Sequence, residues 1–331
     1  MRNFFHSHWK VIVALILLIL VAVLTVSPSS TQAAASAAPA LAERLRAHVS
    51  AIASREHNTA TPLELERAAT YIETALVQAG YQPTRQEYAA GGQRVRNIEV
   101  AVRNVAQGKR PDRIFIVGAH YDSARGAPGA NDNGSGTAAV LELARLLKSA
   151  QLSAGTEVRF VLFVNEEPPW FMGEEMGSMV HAAEMKRQGQ PVAAALVLET
   201  MGYYSDKPDS QQLPPGLEGR YPSTGNFIAF VGTLESSNLV REALAAFRSA
   251  SDFPAQGLAA PAHTTGVTLS DHSSYNRHGY PALMITDTAF MRYPYYHTAE
   301  DTPDKLDYES MARVVNGLAK TIVALAGAKQ G

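Results

Sequence analysis

The residues of this chain that can do chemistry stand in short groups, each just past an apolar run. Ile114–Val117 (IFIV) leads through Gly118 and Ala119 to His120 and Asp122, and a loop rich in Gly, Ala and Asn then carries Asp132. The run VRFVLFV ends on Asn165, Glu166 and Glu167, VAAALVL ends on Glu199, and His297 follows the run YPALMIT at a short distance. Histidines and carboxylates are nitrogen and oxygen donors that suit zinc or a similar divalent ion. The chain has no cysteine, so disulfides, thiolate metal sites and a cysteine nucleophile are excluded. His120, Asp132, Glu167, Glu199 and His297 amount to one bridging carboxylate and two further ligands for each metal of a pair. Glu166 is left over beside a ligand, where a carboxylate can take a proton from an activated water.

The elements that must position these residues follow from the same runs. Apolar, β-branched stretches without polar interruption predict strands buried on both faces of an α/β sheet, whose ligand crevices lie at the carboxyl ends of the strands. With helices connecting them, the strands that end at His120, Glu166-Glu167 and Glu199 all point to one edge. TAAVLELARLLKSA has helical spacing, which puts Asp132 just before a helix N-terminus. Helices are also predicted over 41–54, from Thr61 to about 79 with Thr61 and Glu64 as a capping box, and over 174–188, 235–250 and 307–326. Further strands fall at 97–103 and 226–232, a surface loop at 203–225, and a long polar loop at 251–279 that holds His263, Asp271, His272 and His278. The resulting fold class is α/β, a three-layer sandwich with a mostly parallel mixed sheet and helices on both faces, plus an N-terminal hydrophobic helix.

A net charge of −2 with no cluster of Lys and Arg among aromatics excludes a nucleic-acid footprint. Val11–Val26 has Thr25 as its sole polar residue and follows Arg2 and Lys10, the pattern of a signal peptide or of a single-pass membrane anchor with the remainder exported to the periplasm or beyond. Residues 1–37 are read as that signal or anchor with its Ser-, Ala- and Pro-rich linker, and 40–328 as the catalytic domain.

Taken in order, GAHYDS, GANDNGSGTA, a strand closing on NEE, LETMG and YHTAEDTPDKLDY resemble the zinc aminopeptidase family of bacterial leucyl aminopeptidases, aminopeptidase Y and glutamate carboxypeptidase. The resemblance covers roughly 40–328 and implies a di-zinc exopeptidase acting on peptides. It assigns Asp132 as the bridge, His120 and Glu199 to one zinc, Glu167 and His297 to the other, and Glu166 as general base. It also implies that Asp122 orients His120 and that Tyr296 stabilises an oxyanion. The chain departs from the family where Glu199 replaces the usual Asp, and where PPWFMG separates Glu166-Glu167 from a second acidic pair, Glu174-Glu175, which competes for the same role. Trp170 and Phe171 line a pocket or cover the sheet edge, and Asp271-His272 is a hydrogen-bonded loop pair or a motif near the substrate. His263 and His278 are read as surface residues. Two alternatives stay open on the same fold: a single-zinc glutaminyl-peptide cyclotransferase, and a non-catalytic peptidase-like ectodomain.

Overall fold

The computed structural model describes residues 30–327, so the apolar run Val11–Val26 lies outside the described residues. The chain divides into two units, Met1–Leu41 and Ala42–Gly331. Among the described residues no helix is long and apolar enough to cross a membrane. In chain order the elements are α1 (Ser30–Ile52), α2 (Pro62–Gln78), β1 (Thr84–Ala90), β2 (Gln93–Asn104), β3 (Arg113–His120), a π-helical turn (Ala130–Ser135) and α3 (Gly136–Leu147). Then come β4 (Thr156–Phe163), α4 (Gly177–Arg187), β5 (Val192–Glu199), β6 (Ile228–Thr233) and α5 (Ser237–Ala250). β7 (Ala255–Ala260), α6 (His272–Arg277), β8 (Ala282–Thr286) and α7 (Tyr308–Ala326) complete them.

One eight-stranded sheet has the order β1-β2-β4-β3-β5-β8-β6-β7. Its centre is parallel: β3 pairs with β4 and β5, and β5 with β8. Their carboxyl ends therefore emerge together, which brings His120, Glu166-Glu167, Glu199 and the chain leading to His297 to one edge. The expected parallel character stops at the flanks, because β2 runs antiparallel to β4 and β6 antiparallel to β8. The sheet is thus mixed, with α/β character concentrated where the site lies.

Helices cover both faces. On one, Ile114, Ile116, Val161, Phe163 and Ala282 pack with Ala182 and Met185 of α4 and Tyr275 of α6. On the other, Phe230 meets Phe247 of α5, with ring centroids 5.4 Å apart. Alternation along each strand sends neighbouring apolar residues to opposite layers, so an uninterrupted apolar run fits between two helix layers.

Several local expectations are corrected. β1 was not predicted; its pattern is half exposed, and it joins β2 through Gly91-Gly92, whose φ values of 53° and 80° suit the tight hairpin turn. β7 and α6 lie within the stretch read as a polar loop: AQGLAA is an edge strand of small residues, and α6 is too short to show periodicity. No capping box forms at α2. The Thr61 hydroxyl accepts from Asn58 N and donates to Glu56 O, while Glu64 pairs with Arg67 at 2.7 Å. α4 starts at Gly177, three residues after the expected position, because Glu174 and Glu175 are exposed turn residues.

Gly136 begins α3 where a Cβ would collide with the Asn133 side-chain oxygen and approach the Leu198 carbonyl at 2.7 Å. Gly136→Ala is expected to lower stability by about 1–3 kcal/mol, the usual cost of forcing an extra methyl into packed surroundings, read as a drop in melting temperature.

Candidate metal centre

Two facing groups of ligand atoms gather at this edge: His120, Glu166 and Glu199, all buried, in one, and buried Asp132 and Glu167 with the exposed His297 in the other, each within 4.8 Å. Asp132 joins them. One of its oxygens lies 3.4 Å from His120 Nε2, and the other 2.9 Å from His297 Nε2. Each histidine faces a second carboxylate, Glu199 at 3.3 Å from His120 and Glu167 at 3.2 Å from His297. Glu166 stands 3.8 Å from His120 Nε2. Glu174 and Glu175 are exposed and stand in neither group.

Hydrogen bonds from neighbouring elements fix these positions. His120 Nδ1 bonds the main-chain carbonyl of Asp122 at 3.0 Å, whereas the Asp122 carboxylate is 3.6 Å away. That carboxylate instead accepts the backbone N–H groups of Glu166 and Glu167. Asp122 therefore orients His120 through its backbone and the glutamate pair through its side chain, a division that the motif alone did not reveal. Sequence reasoning also missed Asp301, which accepts from the backbone N–H groups of Asn131 and Asp132 and from the Tyr293 hydroxyl. Ser270, likewise missed, donates to Glu199 at 2.7 Å. Asn133 donates to the Leu198 carbonyl and accepts from Thr200 N, tying the Asp132 loop to the end of β5.

Tyr296 stacks on His297 with ring centroids 4.0 Å apart. Asp271 and His272 are both fully buried. His272 meets the Val267 carbonyl at 2.7 Å, but neither Asp271 oxygen has a hydrogen-bond partner, so the expectation of a bonded loop pair holds for the histidine alone. His263 is exposed and His278 is half-buried. Trp170 packs over the β1–β2 turn at Gly91 and donates to Thr59.

The donor set fits a metal pair on its own terms. His120 Nε2, Asp132 Oδ2 and Glu167 Oε1 are buried and lack hydrogen-bond partners. Buried polar atoms without partners are costly, and these belong to residues whose free atoms converge. Four carboxylates buried side by side are also tolerable only if cations or protons offset them.

Residues 100–322 match the family described as Peptidase family M28. The chain belongs to peptidase family M28. It is 43% identical over 263 residues to the Escherichia coli protein YfbL, covering 77% of this chain and 78% of that one. A probable leucine aminopeptidase 1 of Trichophyton verrucosum is 30% identical over 216 residues, 62% of this chain and 52% of the fungal protein, so the match spans about half of that relative. Among solved structures, the Legionella pneumophila LapA aminopeptidase superposes with a TM-score of 0.68 at 19% identity, over 91% of this chain and 76% of that one. A glutaminyl cyclase of Fimbriiglobus ruber does so with 0.62 at 21%, over 85% and 94%. At these identities the likeness is one of fold.

In this M28 protein, an apolar pocket opens between Glu199 and Tyr296 on the metal side and Leu213, Leu217, Phe227 and Val231 beyond. Its lining is almost wholly apolar, which suits an apolar organic group. Leu269 and Phe290, 42% and 41% exposed, are among its lining residues.

The electrostatics of the centre predict its pH response. Burial, then repulsion from Asp132, pushes Glu167 up to about 7 and Glu199 up to about 8 despite the nearby histidines. Burial alone would lower the two histidines, but the carboxylates around them outweigh it and hold His297 up to about 10 and His120 well above its usual range. All four shifts are upward, so the folded metal-free site keeps protons that the unfolded chain has released. Their stabilisation is lost as pH rises through these values. Buried neutral His57 and His272 act in the opposite sense, but only below their unfolded value of 6.5. Chelator-treated protein is therefore expected to lose melting temperature between about pH 6.5 and pH 8, and zinc to bind more tightly across that window with measurable proton release.

Proposed function

We propose that the protein is a zinc-dependent aminopeptidase, binding two zincs per chain and removing N-terminal residues with bulky apolar side chains from peptides. The observation that carries this reading is Asp132, whose two oxygens face two histidines, each with its own glutamate. His120 and Glu199 would hold one ion, His297 and Glu167 the other, and Asp132 both. Such a pair, when bound, polarises a carbonyl and makes water acidic enough to attack at neutral pH.

The remaining roles belong to the chain. Glu166, 6% exposed and pushed well above the carboxylate range by burial, keeps a proton readily enough to accept it from the attacking water and return it to the leaving amine. Tyr296, stacked on His297 and lining the pocket, would donate to the developing oxyanion. The surplus of carboxylates suits the ammonium group of a peptide N-terminus. Beyond it, the Leu-, Phe- and Val-lined pocket suits a large apolar side chain, in keeping with curated relatives named leucine aminopeptidases. The carboxamide of an N-terminal glutamine would be desolvated there, which favours hydrolysis over cyclisation. The apolar run Val11–Val26 supports export of the domain, free or anchored.

Glu166→Gln is expected to lower kcat for leucyl p-nitroanilide by about 10²–10⁴, the usual contribution of a general base, with near two zincs per chain retained on elemental analysis. Chelation should abolish turnover and zinc restore it. Conversion of glutaminyl peptides to the cyclic product without amide hydrolysis would establish the cyclotransferase instead.

A further inference from the structure

Behind the wall of the apolar pocket lies a buried cation that forms no ion pair among the described residues. Arg292 is 7% exposed, and buried Asp287 is the carboxylate whose charge acts on it, at a distance rather than as an ion pair. A guanidinium buried without a direct ion pair is costly unless its donors are well used. Its Nε donates to Gln211 Oε1 at 2.8 Å and its Nη1 to the Phe227 carbonyl at 2.8 Å and the Tyr203 carbonyl at 3.3 Å, while Nη2 has no partner. The guanidinium also lies 4.6 Å from the centre of the Phe227 ring.

These contacts join segments that are far apart in the chain. Gln211 lies midway along the excursion between β5 and β6, whose Leu213, Pro214 and Leu217 form one side of the pocket. Phe227 leads into β6, which supplies its base. Arg292 itself lies on the loop from β8 to α7, the loop that continues to Tyr296 and His297. Gln211 extends the connection, because its amide donates to the Thr288 hydroxyl at 2.9 Å and its oxygen accepts from the same hydroxyl at 3.1 Å. Thr288 is held with φ at 81°, an uncommon conformation for a β-branched residue that surrounding contacts must maintain. One guanidinium thus fixes the pocket wall against the loop that delivers a metal-binding histidine.

We propose that Arg292 is a positioning residue for substrate selection: by clamping Gln211 and the Phe227 carbonyl it holds the pocket open beside the metal centre for a bulky apolar side chain. Arg292 does not line the pocket, and its effect passes through Gln211 and Phe227, which do. The inference rests on the aminopeptidase reading for what fills the pocket, but not for the clamp itself.

The test compares large and small amino alcohols, whose binding requires no turnover. Calorimetry of zinc-loaded protein is expected to show phenylalaninol binding at least about tenfold tighter than alaninol, the size of effect that an apolar pocket gives for several methylene equivalents. Arg292→Met and Gln211→Met should each reduce that ratio to within about threefold of unity with zinc content unchanged, whereas Gln211→Glu, which keeps the acceptor, should retain most of it. Gln211→Met carries the test if Arg292→Met fails to fold. A ratio unchanged in the Met variants, equal loss for both ligands, or no preference in the parent protein would overturn the proposal. Selective binding with no hydrolysis of any aminoacyl p-nitroanilide would sink the peptidase reading and leave the clamp standing.

Discussion

The constraint on which the rest of this structure depends is the concentration of negative charge at the carboxyl edge of the sheet. Asp132, Glu166, Glu167 and Glu199 are all at most 6% exposed, and His120 and His297 stand among them. Carboxylates so close together and so dry are tolerable only with counter-charge, supplied by protons in the free protein and by metal ions in the reading proposed here. Holding them in place despite their repulsion requires backbone donors aimed at their supports. Asp122 gathers the Glu166 and Glu167 amides, and Asp301 gathers those of Asn131 and Asp132. The site is thus prepared by acidic residues that are not themselves among the converging ligand atoms.

A division of labour follows. The parallel centre of the sheet presents His120, the glutamate pair and Glu199 from rigid strand ends, where position is determined by register. The antiparallel flank, β6 with β8, and the long excursions around it build the apolar pocket. In the reading proposed here, chemistry and selectivity are carried by different parts of one sheet, meeting at Glu199 and Tyr296. Loops that carry binding groups need independent anchoring because they have no ladder of their own, and the Arg292–Gln211–Thr288 network supplies it.

The elements legible in the sequence were those whose environment is uniform. β3, β4, β5 and β8 are buried on both sides, so composition alone marks them, and the residues just past them become candidate site residues by position. β1 and β7 escaped because edge strands are half exposed and lack a continuous apolar signal. α6 escaped because a six-residue helix has too few turns for periodicity. Asp301 and Ser270 were unreadable for another reason: in TAEDTPDK and TLSDHS they look like ordinary turn residues, and only their partners 169 and 71 positions away reveal what they do. Thr61 looked like a helix cap, yet its hydroxyl serves the preceding turn, a competition between local hydrogen bonds that sequence does not decide.

By itself the sequence determined the buried central strands, the acidic and histidine residues that follow them, and through these the family to which the protein belongs. Spacing carries that information because strand ends in a parallel sheet share one edge. Only the tertiary structure decided which oxygen of Asp132 faces which histidine, that Asp122 serves His120 by its carbonyl and the glutamates by its carboxylate, and that a buried arginine stands behind the pocket, bonded to Gln211 and the Phe227 carbonyl. Each of these depends on distances of a few ångströms between residues remote in sequence, and such distances are settled by packing.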